Sequence, residues 1–130
     1  MIVVDASALL EALLGTPAAK AVQDRLFAPR QTLHAPHLLD IEVAQVIRRY
    51  VANGDIDSER GRLALVDMAD FPLSRYPHDV LLPRIWDLRD NLTAYDAVYV
   101  ALAEALGAPL LTRDRRLARA AGHLARIELV

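Results

Sequence analysis

The stretch Thr93–Leu106 carries only two charges, Asp96 and Glu104, among Ala, Val, Leu and Tyr residues on every side. Its residue types predict a helix, and Gly107 is placed to end it. A helix that is apolar all round has no face to offer water and must be buried. The rest of the chain therefore has to supply the elements that cover it.

Those elements alternate. Ile2–Val4 is a short β-branched run closed by Asp5, as expected of a central strand buried on both faces. Thr32–Ala35, Leu73–Arg75 between Pro72 and Pro77, Pro109–Thr112 and Ile127–Val130 are further strand candidates. Between them, Ser7–Leu14 predicts a helix stopping at Gly15, and Pro17 opens a second one through Phe27. Leu38–Val51 places Leu39, Val43, Val46, Ile47 and Tyr50 on one face of an amphipathic helix that Asn53-Gly54 terminates. Ser58–Ala69 is also helical in character, and Asp79 is expected to cap a helix through Leu88 with Pro83 in its first turn. Strands alternating with helices predict an α/β domain with a mostly parallel sheet. A length of 130 residues fits one domain, residues 1–130.

Composition removes several classes of function. The chain has no cysteine, which excludes a disulfide framework and zinc held by thiolates and suits a reducing compartment. The first residues read directly as a strand, without the basic flank and long apolar stretch of a signal peptide, and no uncharged apolar run is long enough to span a membrane. The expected location is the cytoplasm. A net charge of -2 does not by itself predict a nucleic-acid partner. Lys20 is the only lysine, however, and Arg113, Arg115, Arg116 and Arg119 fall close together. They read either as a solvated helix face or as an edge that faces phosphate.

Asp5, Glu42, Asp96 and Asp114 each lie in or beside an apolar segment, where an ionised group is costly. Asp5 follows one core strand and Asp114 another, and in open parallel sheets functional sites lie beyond the carboxyl ends of the strands. Glu42 and Asp96 both fall early in their helices, so the same edge can collect all four. Gathered there, they predict a buried acidic cluster, which needs a counter-charge. Hard oxygen ligands without His or Cys suit Mg²⁺ or Mn²⁺, and such ions favour phosphodiester hydrolysis. Each position has a plainer role open to it: Asp5 and Asp114 as helix N-caps, Asp96 as part of a capping box with Thr93, Glu42 as an ordinary helix charge. Asp40 lies at the opposite edge of the same apolar face as Glu42, and periodicity does not choose between them.

Four blocks carry a resemblance to a known family: Met1–Leu10 (Met-Ile-Val-Val-Asp-Ala-Ser-Ala-Leu-Leu), Leu38–Ala44 (Leu-Leu-Asp-Ile-Glu-Val-Ala), Thr93–Glu104 (Thr-Ala-Tyr-Asp-Ala-Val-Tyr-Val-Ala-Leu-Ala-Glu) and Leu110–Leu117 (Leu-Leu-Thr-Arg-Asp-Arg-Arg-Leu). In this order and spacing the chain resembles PIN domains of the VapC type, toxin endoribonucleases of type II toxin–antitoxin systems, over essentially its whole length. The resemblance implies a three-layer α/β/α sandwich around a parallel sheet. It implies that Asp5, Glu42, Asp96 and Asp114 form the catalytic acidic quartet, choosing Glu42 over Asp40, with Asp5, Asp96 and Asp114 as ligands of Mg²⁺ or Mn²⁺. Ser7 and Thr112 match supporting hydroxyl positions, and Arg113, Arg115 and Arg116 are candidate RNA phosphate contacts. The implied activity is hydrolysis of transfer or ribosomal RNA by metal-activated water. The implied partners are a cognate VapB-type antitoxin and a second copy of the chain, with DNA reached only through the antitoxin.

A different class of function remains open from the sequence: a non-catalytic PIN-like module that binds protein through its apolar helices, its carboxylates serving as caps. An aspartyl-nucleophile phosphatase is disfavoured, because Asp5-Ala6-Ser7 lacks a second aspartate two residues on.

Overall fold

A computed structural model describes residues 1–130. Ile2–Val4 forms strand β1, all of it buried. A triplet without a polar side chain has no solvent face, which suits only the middle of a sheet. Strands β2 (Leu33–Pro36), β3 (Leu73–Tyr76), β4 (Leu110–Thr112) and β5 (Ile127–Leu129) join it in the order β3-β2-β1-β4-β5. Every pairing is parallel.

Seven helices connect the strands: α1 (Ala6–Leu14), α2 (Ala19–Leu26), α3 (Leu38–Ala52), α4 (Ser58–Asp70), α5 (Leu82–Asp87), α6 (Ala94–Leu106) and α7 (Arg115–Arg119). From β1 to β3 the chain steps one way across the sheet. The next connection crosses back over β2 and β1 to place β4 on the other side of β1. Right-handed crossovers then put α1–α4 on one face and α5–α6 on the other, a three-layer α/β/α sandwich. The contacts agree: α1 touches α2, α3 and α4, whereas α6 lies across β1 and β2 and touches α5.

Apolar spacing positions the helices. Leu39, Val43 and Ile47 form the buried stripe of α3, each such side chain contributing about 1.5–3 kcal/mol by burial. The middle of α6, Ala97–Ala103, is buried around its whole circumference, as its composition predicts. Its first turn emerges into solvent, and Tyr95 there is 64% exposed.

Two expectations need correction. The helix expected from Asp79 to Leu88 is split into a 3-10 turn, Asp79–Leu81, followed by α5. Pro83 has no N–H to give the Asp79 carbonyl, so the Leu82 amide takes that acceptor in the tighter pattern and Pro83 opens a new α-helix. Asp79 therefore sits inside the 3-10 turn rather than capping a helix. The second helix begins at Ala19, after a turn, and not at Pro17.

Candidate active site at the sheet crossover

The chain reverses direction across the sheet between β1 and β4, where neighbouring connections diverge and a crevice opens at the carboxyl ends of the strands. Register decides what stands in it. Val3 pairs with Leu110 and Val4 with Leu111, so one step further Asp5 and Thr112 are side by side. The Asp5 amide still donates to the Leu111 carbonyl at 3.2 Å.

Asp5 is the centre of this arrangement and is 6% exposed. Its Oδ1 accepts from Ser7 Oγ at 2.6 Å and from the Ala8 amide at 3.1 Å, which also makes it the N-cap of α1. Its Oδ2 accepts from Thr112 Oγ1 at 2.5 Å. The same hydroxyls hold the following loop: the Arg113 amide donates to Ser7 Oγ at 2.9 Å and the Asp114 amide to Thr112 Oγ1 at 2.9 Å. Each hydroxyl has one proton, and both point at Asp5, so the 3.3 Å approach of Ser7 Oγ to Thr112 Oγ1 is proximity rather than a further bond. Three donors on a carboxylate with about four acceptor positions leave one on Oδ2.

The remaining acids surround this pair. Glu42 projects from the second turn of α3, half-buried, and its Oε1 accepts from the Tyr99 hydroxyl at 2.5 Å. Asp96 lies in the first turn of α6, whose N-cap Thr93 receives the Asp96 amide at 3.2 Å. Asp114 caps α7, with Oδ1 accepting the Arg116 amide at 2.8 Å and Oδ2 the Arg116 guanidinium at 3.2 Å. Asp40 turns elsewhere, into an ion pair of 2.9 Å with Arg75 of β3.

Ionisation couples the four groups. Burial pushes the Asp5 carboxyl above its ordinary value, the bonds from Ser7, Thr112 and Ala8 offset only part of this, and Asp114 adds repulsion. Glu42 is raised by burial, against the Tyr99 bond, with Asp5 and Asp96 adding to the rise. Asp96 is raised by burial and by Asp114. Asp114 is the exception: burial raises it, but the bonds from Arg116 and Leu117 outweigh burial and hold it below its ordinary value.

The acids are thus within electrostatic reach of one another without touching. Only Asp5 is fully buried, and the other three are half-buried, less enclosed than the sequence suggests. No three His, Cys, Asp or Glu side chains close to metal-ligating distance. Like charges spread apart, and three of the four have turned to a protein donor: Asp5 to two hydroxyls, Glu42 to Tyr99, Asp114 to Arg116. The donor chemistry fits a hard divalent cation, being oxygen only and with a free acceptor on Asp5, Glu42 and Asp96.

The arginines separate into two kinds. Arg113 lines the groove beside Ser7 and Glu42, but its Nη1 donates to the Val130 carbonyl at 2.5 Å and its Nε lies 3.6 Å from Glu11. Arg115, Arg116 and Arg119 are exposed on α7. Tyr99 is the residue that the sequence reading passed over. One aromatic in an apolar helix carries no local mark, and only its place three residues after Asp96 could have set it on the same face.

A sequence model of the PIN domain matches residues 2–123. Ribonuclease VapC12 of Mycobacterium tuberculosis is 45% identical over 130 residues, covering 100% of this chain and 99% of that protein. Among solved structures, PAE2754 from Pyrobaculum aerophilum superposes with a TM-score of 0.69 at 28% identity, over 97% of this chain and 81% of its own. VapBC2 from Rickettsia felis, bound to a DNA fragment from its promoter, superposes with a TM-score of 0.71 at 14% identity, over 99% and 98% of the two chains, a likeness of fold alone. A match that starts in β1, runs past α7 and extends end to end in a relative of VapC type places this chain in the PIN domain family.

Proposed function

We propose that this chain is a metal-dependent endoribonuclease, the toxin half of a type II toxin–antitoxin pair, hydrolysing phosphodiesters of transfer or ribosomal RNA in the cytoplasm. The observation that carries the reading is Asp5, fixed on both oxygens by Ser7 and Thr112 at the sheet crossover, with three further acids in electrostatic reach. The name of the VapC12 relative, a ribonuclease, supports the RNA substrate.

In this reading Asp5, Asp96 and Asp114 hold a Mg²⁺ or Mn²⁺ ion. When bound, the ion supplies Lewis acidity toward the scissile phosphate and lowers the pKa of water. Ser7 and Thr112 fix the Asp5 carboxylate so that it needs no reorientation. Glu42 keeps Oε1 on Tyr99, which leaves Oε2 to accept a proton, and a carboxyl raised by burial is a better proton acceptor than an exposed one. Arg115 and Arg116, exposed at the rim, and Arg113 in the groove contact RNA phosphates. A VapB-type antitoxin offering a guanidinium to the same acids would neutralise them in place of the metal. A homodimer and a single domain over residues 1–130 belong to the same proposal.

The test is cleavage of a transfer-RNA and ribosomal-RNA pool by purified protein, with Mg²⁺ or Mn²⁺ against EDTA. Discrete fragments are expected that disappear with EDTA, with Asp5→Asn and with Asp96→Asn. Both variants should remain folded, since each removes a charge that burial disfavours. Full activity in either variant would overturn the assignment.

A further inference from the structure

The groove that holds Ser7 and Glu42 has a volume of about 560 Å³, and one lip of it is Tyr95, the residue just before Asp96. Tyr95 is 64% exposed, and its hydroxyl makes no hydrogen bond. The buried body of α6 is Ala97–Ala103, so Tyr95 precedes the part of the helix that the core covers. On its other side Tyr95 borders a recess of about 170 Å³ lined by Leu38, Leu82, Ile85 and Val98. The groove is also lined by Arg49 of α3, which has no ion-pair partner, and by Arg113 after β4.

A large aromatic face between arginines and an apolar recess suits a ligand that is flat and apolar on one part and anionic on another. A nucleotide has that form, because every base has a π-face and sits one sugar away from a phosphate. An apolar protein segment would use the ring but would leave the Arg49 guanidinium uncompensated. We infer that Tyr95 is a stacking platform for an unpaired base beside the scissile phosphodiester, with Arg49 and Arg113 on the adjoining phosphates. The inference rests on the ribonuclease reading and adds to it a residue that holds an unstacked base of the substrate, outside the acidic quartet.

The probe is an RNA hairpin whose unpaired loop carries the fluorescent base 2-aminopurine at successive positions, added to full-length protein bearing Asp5→Asn to prevent cleavage. Quenching is expected at one loop position. Adding Tyr95→Ala should abolish that quenching and weaken binding about tenfold, whereas Tyr95→Phe should keep both. Trp86→Ala, which removes a 66% exposed aromatic outside the groove, should change neither. Unaltered quenching and affinity in Tyr95→Ala would overturn the inference. So would a loss of self-association in both Tyr95→Ala and Trp86→Ala with RNA binding intact, since a second copy would then be what covers the ring. If Tyr95→Ala, with Asp5 restored, cleaves RNA with an unchanged KM, this inference fails while the ribonuclease reading stands. If the parent chain neither binds nor cleaves RNA, both fail.

Discussion

Tyr99 ties the two helices that bring Glu42 and Asp96 to the crevice, since it lies on α6 and donates to a carboxylate of α3. It is 2% exposed, and burial together with the Glu42 bond pushes its own ionisation far above the ordinary phenol range, so it remains a donor. Tyr99→Phe keeps the ring and removes the donor. Loss of a hydrogen bond to a charged group should lower stability by about 1–2 kcal/mol in urea denaturation, less than the upper limit because Glu42 is only half-buried. Glu42→Gln should lose less in the Tyr99→Phe background than in the parent. Strict additivity of the two would mean that the bond does not couple them. At this scale the sequence was legible unevenly. Asp5, Asp96 and Asp114 stand at strand ends or helix starts, and those places can be read from local pattern. The choice between Glu42 and Asp40 could not, because it depends on Arg75 and Tyr99, which are distant in sequence and adjacent only after folding.

The helix pair α3–α4 has its own constraint at Gly61. A Cβ built there would meet Val51 Cγ2 at 3.0 Å and Ile47 Cγ2 at 3.1 Å. Both neighbours are β-branched residues on α3 with one preferred χ1, so neither methyl can swing aside cheaply. Gly61→Ala gains helix propensity of about 1 kcal/mol, yet overpacking typically costs about 1–3 kcal/mol. A net loss of stability is expected in urea melts, and Val51→Ala in the same chain should recover part of it. A more stable Gly61→Ala protein would show that the helices separate without penalty. Elements were more legible than this contact. Ile2–Val4 needed only its composition, and α6 only its scarcity of charge. The break before α5 was missed because a proline near a helix start normally fits; here it falls one turn after Asp79, where its absent N–H divides the helix. Gly61 was silent because nothing local distinguishes a glycine that admits a neighbouring helix from one that merely tolerates a helix.

Across the whole molecule, two sets of acids pull stability in opposite directions with pH. Glu104 and Glu128 are held below their ordinary values, chiefly by the guanidiniums of Arg84 and Arg25, which join α5 to α6 and α2 to β5. A group depressed in the folded state stabilises fully above its unfolded pKa, about 4.3 for Glu, and loses that contribution as pH falls through the folded value. Asp5, Glu42 and Asp96 are raised, first of all by burial. Their contribution is complete below the unfolded value, about 4, and is lost as pH rises through the folded one, because the native state binds those protons more tightly. In EDTA, urea stability should therefore climb as pH is lowered from about 7 toward about 5, then fall below about 4. Asp5→Asn should flatten the climb and leave the acid fall in place, whereas Glu104→Gln should soften the fall and leave the climb. A saturating divalent cation should reverse the climb, since ligand oxygens must be deprotonated and binding weakens as protons compete. An Asp5→Asn profile superimposable on the parent, with and without Mn²⁺, would mean that the crossover acids neither store this electrostatic cost nor hold the ion that relieves it.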